Sequence, residues 1–207
     1  MRILCHRGYW RNKIDQNKIS TLMDGLTFGD GVEFDVRDFQ DDIVISHDIV
    51  KKKPLKLEKF FKEYKKNNFL DKYLAINIKA DGLKNKLGEL IRKYEIKNYF
   101  FFDMSIPELV QYKNDNYNFL TRLSNIEKKP VLFEKSLGLW VDSFGDFKFN
   151  KKLINKAISE SKIVVFVSPE LHKINCNLWD NIKYYSKYNK SFLCTDRIID
   201  AKSYFKI

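Results

Sequence analysis

The chain has 207 residues, enough for one sizeable apolar core and too few for two comfortable domains, so residues 1-207 are expected to form a single domain. With 44% hydrophobic and 31% charged residues it has the balance of a globular protein, and no apolar run approaches the roughly 20 residues of a membrane span. The 38 basic against 27 acidic side chains (+11) favour anionic ligands, yet the lysines are spread in pairs such as Lys65-Lys66 and Lys151-Lys152. No helix-turn-helix, zinc-finger or RNA-recognition signature accompanies them, so dedicated nucleic-acid binding is not expected.

Met1 to His6 runs directly into a strand-like segment, Ile3-Leu4-Cys5, without a signal-peptide layout. Cys5, Cys176 and Cys194 are odd in number and lack metal spacing, which implies reduced thiols and a cytoplasmic protein. Residues Ile19 to Leu26 read as a helix with Ser20 or Thr21 as N-cap. A Gly29-Asp30-Gly31 turn leads into the apolar strand Val32 to Val36. Asp41-Asp42 then separates it from a second run, Ile43-Val44-Ile45, the pattern of a β-hairpin.

The segment from Pro54 carries apolar positions 57, 60, 61 and 64, a helical stripe opened by a proline. Further strands are expected at Tyr73–Lys79, Tyr99–Asp103, Asn118–Arg122, Leu139–Asp142, Ile163–Val167 and Ser191–Asp196. Helices are expected at Leu83–Tyr94, from Pro107, at Lys151–Ser159, at Trp179–Tyr188 and at the C-terminus. Unbroken apolar strands need cover on both faces, which parallel strands under helices provide. The order therefore predicts an α/β fold: a compact (β/α)8 TIM barrel with an extra β-hairpin strand after the second barrel strand. A doubly wound open sheet is the alternative, but no Gly-rich phosphate loop follows any strand.

Alternation along the second strand puts Glu33 and Asp35 on one face, about 7 Å apart at a rise of about 3.3 Å per residue. A hard divalent cation rewards such a pair; a solvent-facing edge strand with ordinary acids is the bland reading. A two-residue loop at Asp41-Asp42 would pair Val36 with His47, and one residue more or less would pair Asp35 or Arg37 with it. An odd loop or a bulge is expected to turn His47 toward the two acids.

Barrel chemistry gathers at the C-terminal ends of the strands. Those ends carry His6 and Arg7, Glu33 and Asp35, Asn77 and Lys79, Asp103, Arg122, Asp142, the Ser168–His172 loop, and Thr195 with Asp196. Two histidines beside two carboxylates, an arginine and a lysine suit phosphodiester cleavage. A divalent cation on Glu33 and Asp35 would hold a phosphate oxygen, and Arg7 and Lys79 would bind the others. His6 and His47 would exchange protons as acid and base.

His6-Arg7-Gly8, Glu33-x-Asp35-Val36, His47-Asp48, the strand ending in Lys79 and the late Thr195-Asp196 together resemble the glycerophosphodiester phosphodiesterase family. The resemblance implies a TIM barrel that hydrolyses glycerophosphodiesters to an alcohol and glycerol phosphate with Mg2+ or Ca2+. It also implies His6 and His47 as the acid/base pair, Glu33 and Asp35 as metal ligands, and Arg7 and Lys79 as phosphate contacts. The family normally has a glutamate, a third metal ligand, where this chain has Asn77. An amide oxygen can still serve a hard cation, with one charge fewer. Weaker metal binding, or compensation from Asp103 or Asp142, is expected.

Gln16-Asn17 falls where the family carries a Pro-Glu-Asn-Thr segment, but lacks its proline and glutamate. The short stretch after His47 implies a reduced or absent inserted subdomain and a more open mouth, which would accommodate a bulkier diester such as a polymer-linked or nucleotide-linked one. The expected partner is a small-molecule or glycan-linked phosphodiester. A non-catalytic phospho-ligand-binding barrel and a sphingomyelinase-D-like transferase forming a cyclic phosphate are the competing readings.

Overall fold

The computed structural model of the protein describes residues 1–51, 54–145 and 149–207. Its eight parallel strands are β1 (Arg2–His6), β2 (Gly31–Phe39), β5 (Tyr73–Ile78), β6 (Tyr99–Phe102), β7 (Leu120–Leu123), β8 (Gly138–Val141), β9 (Ile163–Val167) and β10 (Ser191–Thr195). Each pairs with the next in that order, and β10 returns to β1 with Ile3 opposite Leu193. The seam between β6 and β7 is a single bridge, Phe101 with Phe119, where the Phe101 N–H donates to the Asn118 carbonyl at 2.9 Å. The ring is closed, so the sheet is the expected (β/α)8 barrel and not an open doubly wound one.

Period-two alternation explains both cores. Ile3, Cys5, Val32, Phe34, Leu74 and Ile76 face outward into the apolar layer beneath the helices. Leu4, Ala75, Phe100, Phe102, Leu120, Trp140, Val165, Phe192 and Cys194 face inward and fill the lumen. The outer layer is covered by α1 (Ile19–Phe28), α2 (Leu57–Lys66), α3 (Lys84–Lys93), α4 (Ile106–Asn114), α5 (Lys151–Ser159), α6 (Leu178–Ile182) and α7 (Ile198–Phe205). Between β7 and β8 no α-helix is present among the described residues, and the crossover is a short 3-10 turn at Phe133–Lys135. The eight-helix complement is thus one short. No helix is long and apolar enough to cross a membrane among the described residues.

Several local expectations are corrected. The α1 cap is Lys18, without a side-chain cap bond, because the Thr21 hydroxyl donates instead to the Asp15 and Lys18 carbonyls. Pro54 does not open the next helix: Leu55–Lys56 forms the short strand β4 on β3 (Asp42–Ile45), and α2 begins at Leu57. The expected Trp179–Tyr188 helix is α6 followed by a 3-10 turn at Lys183–Lys187.

The extra hairpin is present, but its turn is Gln40-Asp41, one residue earlier than expected, with Gln40 at φ +54°. Ile45 therefore lies opposite Val36, and Ile43 and Ile45 join the outer apolar layer. The loop is thus two residues long, not the odd loop or bulge expected; the open alternative that pairs Val36 with His47 would have set Ile45 against Asp38 on the same face, away from Val36. No bulge is needed, since the ladder's last bond is Ser46 N–H to the Asp35 carbonyl at 3.0 Å and His47 lies just beyond it.

The turn after β1 needs a glycine. Gly8 has φ +95°, and a Cβ there would meet the Thr21 carbonyl oxygen at 2.5 Å. Gly8→Ala is expected to cost about 2–4 kcal/mol in urea unfolding, from left-handed backbone strain plus the clash with α1. An unchanged midpoint would show that this turn has room to relax.

Candidate active site

The inward phase that fills the lumen continues past the strand ends, and the apolar residues give way to polar ones. His6 follows Leu4, Asn77 and Lys79 follow Ala75, Arg122 follows Leu120, Asp142 follows Trp140, and Asp196 follows Cys194. These side chains line one cavity of about 650 Å3 over the floor made by Phe102 and Trp140, whose rings stack at 3.8 Å. His6, Arg7, Glu33, His47, Asn77 and Lys79 all reach this space, while Asp35 sits fully buried beside it.

His6 is gripped from behind. Its Nδ1 is 2.7 Å from Asp196 Oδ1, so an Nδ1–H donated there leaves Nε2 facing Glu33, whose Oε2 is 3.9 Å away. Asp196 is itself positioned through Glu170, whose carboxylate accepts from the Ser168 and Thr195 hydroxyls and from the Asp196 N–H. Arg7, in left-handed backbone at φ +55°, donates its N–H to the Glu33 carbonyl at 2.9 Å. Its guanidinium Nε lies 2.8 Å from Asp35. Gln16 and Asn17 finish this corner: Gln16 accepts from Arg7 Nη1 and Asn17 Nδ2 donates to Asp35 at 2.9 Å.

Lys79 Nζ lies 3.5 Å from Asp35 and 3.8 Å from Asp103. Two cations thus flank the buried Asp35 carboxylate, which offsets its desolvation. Glu33 is less well served. Burial, reinforced by the Asp35 charge, pushes its carboxyl up to about 7 against the opposing pull of His6, Arg7 and Lys79.

His47 sits at the rim with 45% of its side chain exposed, bonded at 2.8 Å to its neighbour Asp48. Arg37, which the sequence did not single out, donates to the backbone carbonyls of both His47 and Lys79 and ties the hairpin end to β5.

The expected metal ligands are adjacent: Asp35 is in register with Asn77, and the Asn77 amide approaches Glu33 Oε1 at 3.4 Å. Asp35 Oδ1 and Asn77 Oδ1 are buried without a hydrogen-bond donor. Two orphaned oxygens beside a second carboxylate fit a hard cation. No three His, Cys, Asp or Glu side chains gather as a metal cluster among the described residues. Asp103 and Asp142, the expected compensating carboxylates, both have other partners here. Asp103 is taken by Arg122 at 2.6 Å, and Asp142 by His172 at 2.7 Å.

That last pair is the feature sequence reasoning missed. His172 and Asp142 were both visible as strand-end residues, but nothing in their spacing joined them. The hydrogen bond to Asp142 raises the His172 pKa above its ordinary value despite partial burial. Because its folded pKa is raised, this pair stabilises the fold fully below the ordinary histidine pKa, and the contribution fades as pH rises through the shifted one. In an NMR titration His172 is expected to deprotonate above pH 6.5, the ordinary value. Asp142→Asn should bring it back down, and an unshifted wild-type curve would mean the bond is not made in solution.

No protein-family profile matches the chain, and no curated protein matches it in sequence. Solved structures match it along its length. A protein from Galdieria sulphuraria, provisionally assigned as a glycerophosphodiester phosphodiesterase, superposes with a TM-score of 0.75 at 14% identity over 100% of this chain and 98% of its own. The glycerophosphodiester phosphodiesterase from Agrobacterium tumefaciens gives 0.72 at 13% identity, with 100% of both chains covered. The enzyme of that name from Thermotoga maritima gives 0.68 at 18% identity over 98% of each. The chain therefore has the barrel fold these glycerophosphodiester phosphodiesterases share.

Proposed function

We propose that the protein is a metal-assisted phosphodiesterase that cleaves a glycerophosphodiester-type substrate to an alcohol and glycerol phosphate. The observation that carries this reading is the convergence of His6, Arg7, Glu33, Asn77 and Lys79 on one cavity with His47 at its rim. Fold likeness to proteins of that name adds support.

Arg7 and Lys79 bind the non-bridging phosphate oxygens and balance charge that grows on them. His47, open to solvent at the rim, takes the proton from the attacking hydroxyl, either water or the neighbouring hydroxyl of the glycerol half. His6, oriented by Asp196, gives a proton from Nε2 to the departing alcohol oxygen. Glu33, Asp35 and Asn77 would hold Mg2+ or Ca2+, which supplies Lewis-acid polarisation of the phosphate.

The test is phosphorus NMR of purified protein with glycerophosphodiesters, with Mg2+ or Ca2+ and with EDTA. Release of glycerol phosphate that EDTA abolishes is the expected result. Asn77 favours a second reading, a barrel that binds phosphoesters without turnover. That reading would give saturable binding and no product. A cyclic phosphate as end product would assign the transferase chemistry instead.

A further inference from the structure

The acid/base and phosphate groups occupy only one half of the cavity. Its other half, toward the ends of β8 and β9, is built as carefully. His172 Nε2 is clamped by Asp142, which also accepts from the Ser143 N–H at 2.7 Å. The Phe144 ring meets the imidazole edge-on at 5.1 Å. Beneath lies the Phe102–Trp140 stack, and Lys173 and Leu171 complete the wall. The charge of Asp103 reaches His172, and Asp103 is the same carboxylate that contacts Lys79. This wall therefore shares one cavity with the phosphate contacts and with His6, and Asp103 lies between its charge and Lys79.

Every carboxylate here is already engaged. Asp103 holds Arg122 and Lys79, Asp142 holds His172, Asp196 holds His6, and Glu170 accepts from Ser168, Thr195 and the Asp196 N–H. What remains is Lys173, which has no ion-pair partner among the described residues, and the second ring nitrogen of His172, an acceptor in the neutral ring and a donor once the ring carries both protons. An alcohol carrying an ammonium group would find no unpaired carboxylate and would meet the Lys173 ammonium. A polyhydroxy alcohol would find donors along its hydroxyls and an aromatic surface under its C–H face.

Resting on the phosphodiesterase reading, we infer that His172, Lys173 and the Phe102–Trp140 floor form the subsite for the alcohol half of the diester, and that this half is a polyhydroxy, non-cationic alcohol. His172 is a specificity-determining contact, held in place by Asp142.

Steady-state kinetics on three esters of glycerol phosphate, with glycerol, choline and methanol as the alcohol, test the inference. In the wild type, kcat/KM for the glycerol ester is expected to exceed that for the choline ester at least tenfold. His172→Ala should raise KM for the glycerol ester about tenfold relative to the methyl ester, with little change in kcat. Lys173→Glu, at an exposed position, should narrow the glycerol-to-choline ratio at least threefold by supplying a free carboxylate. Equal wild-type cleavage of the glycerol and choline esters, or equal loss of the glycerol and methyl esters in His172→Ala, would overturn the subsite alone. A wild type inert toward all three esters would instead bring down the phosphodiesterase reading and the subsite with it.

Discussion

Replacing His6 by alanine is expected to lower kcat/KM by about 10³-fold, the range in which a positioned proton donor contributes, equivalent to about 4 kcal/mol of transition-state stabilisation. The loss should fall on kcat, because the imidazole meets a charge that develops only as the bond to the alcohol breaks. The fold should survive. His6 touches Asp196 and Glu33 and contributes to neither apolar core. Glu33, with its carboxyl already pushed up to about 7, can take a proton when the imidazole is gone. Asp196→Asn provides the graded control. It keeps the ring in place but removes its charged partner, and should cost about 10–100-fold, the scale of losing a second group behind a functional one. An ester with a good leaving group, such as glycerophospho-p-nitrophenol, needs little protonation and should lose far less in His6→Ala. Equal loss on good and poor leaving groups would move the acid role away from His6.

The barrel was legible because its signal is repeated. Apolar strands of four to six residues recur, and the inward phase can be followed from Leu4 to His6 or from Ala75 to Asn77 without any knowledge of packing. Glu33 and Asp35 could be assigned to one face for the same reason. What the sequence did not hold was long-range pairing. The hairpin register depended on whether Ile45 would bury against Val36, a packing outcome and not a local preference. The partner of His172 is thirty positions away, just past the end of β8. The partner of Arg37 is the backbone of Lys79, which no residue pattern encodes. Asn77 was read as a weakened ligand, and its orphaned Oδ1 beside that of Asp35 is consistent with that role.

Restoring a carboxylate in that place gives the second large expected effect. Asn77→Glu would set a third acid in register with Asp35 and within reach of Glu33, at a site only 7% exposed. Without divalent cations the variant should be less stable than wild type by about 1–3 kcal/mol, since like charges are crowded where water cannot screen them. With Ca2+ or Mg2+ the order should reverse, because added ligand charge is what tunes oxygen sites toward tighter binding; an affinity gain of about 10–100-fold is expected. Thermal unfolding with EDTA and with millimolar CaCl2 reads both halves without reference to turnover: a lower midpoint in EDTA, and a larger calcium-induced rise than wild type shows. Calorimetric titration of the cation gives the affinity directly. If the midpoint of Asn77→Glu ignores calcium, then Glu33, Asp35 and position 77 do not form a cation site. The Lys79 ammonium, already 3.5 Å from Asp35 Oδ1, would then be the cation that this oxygen serves.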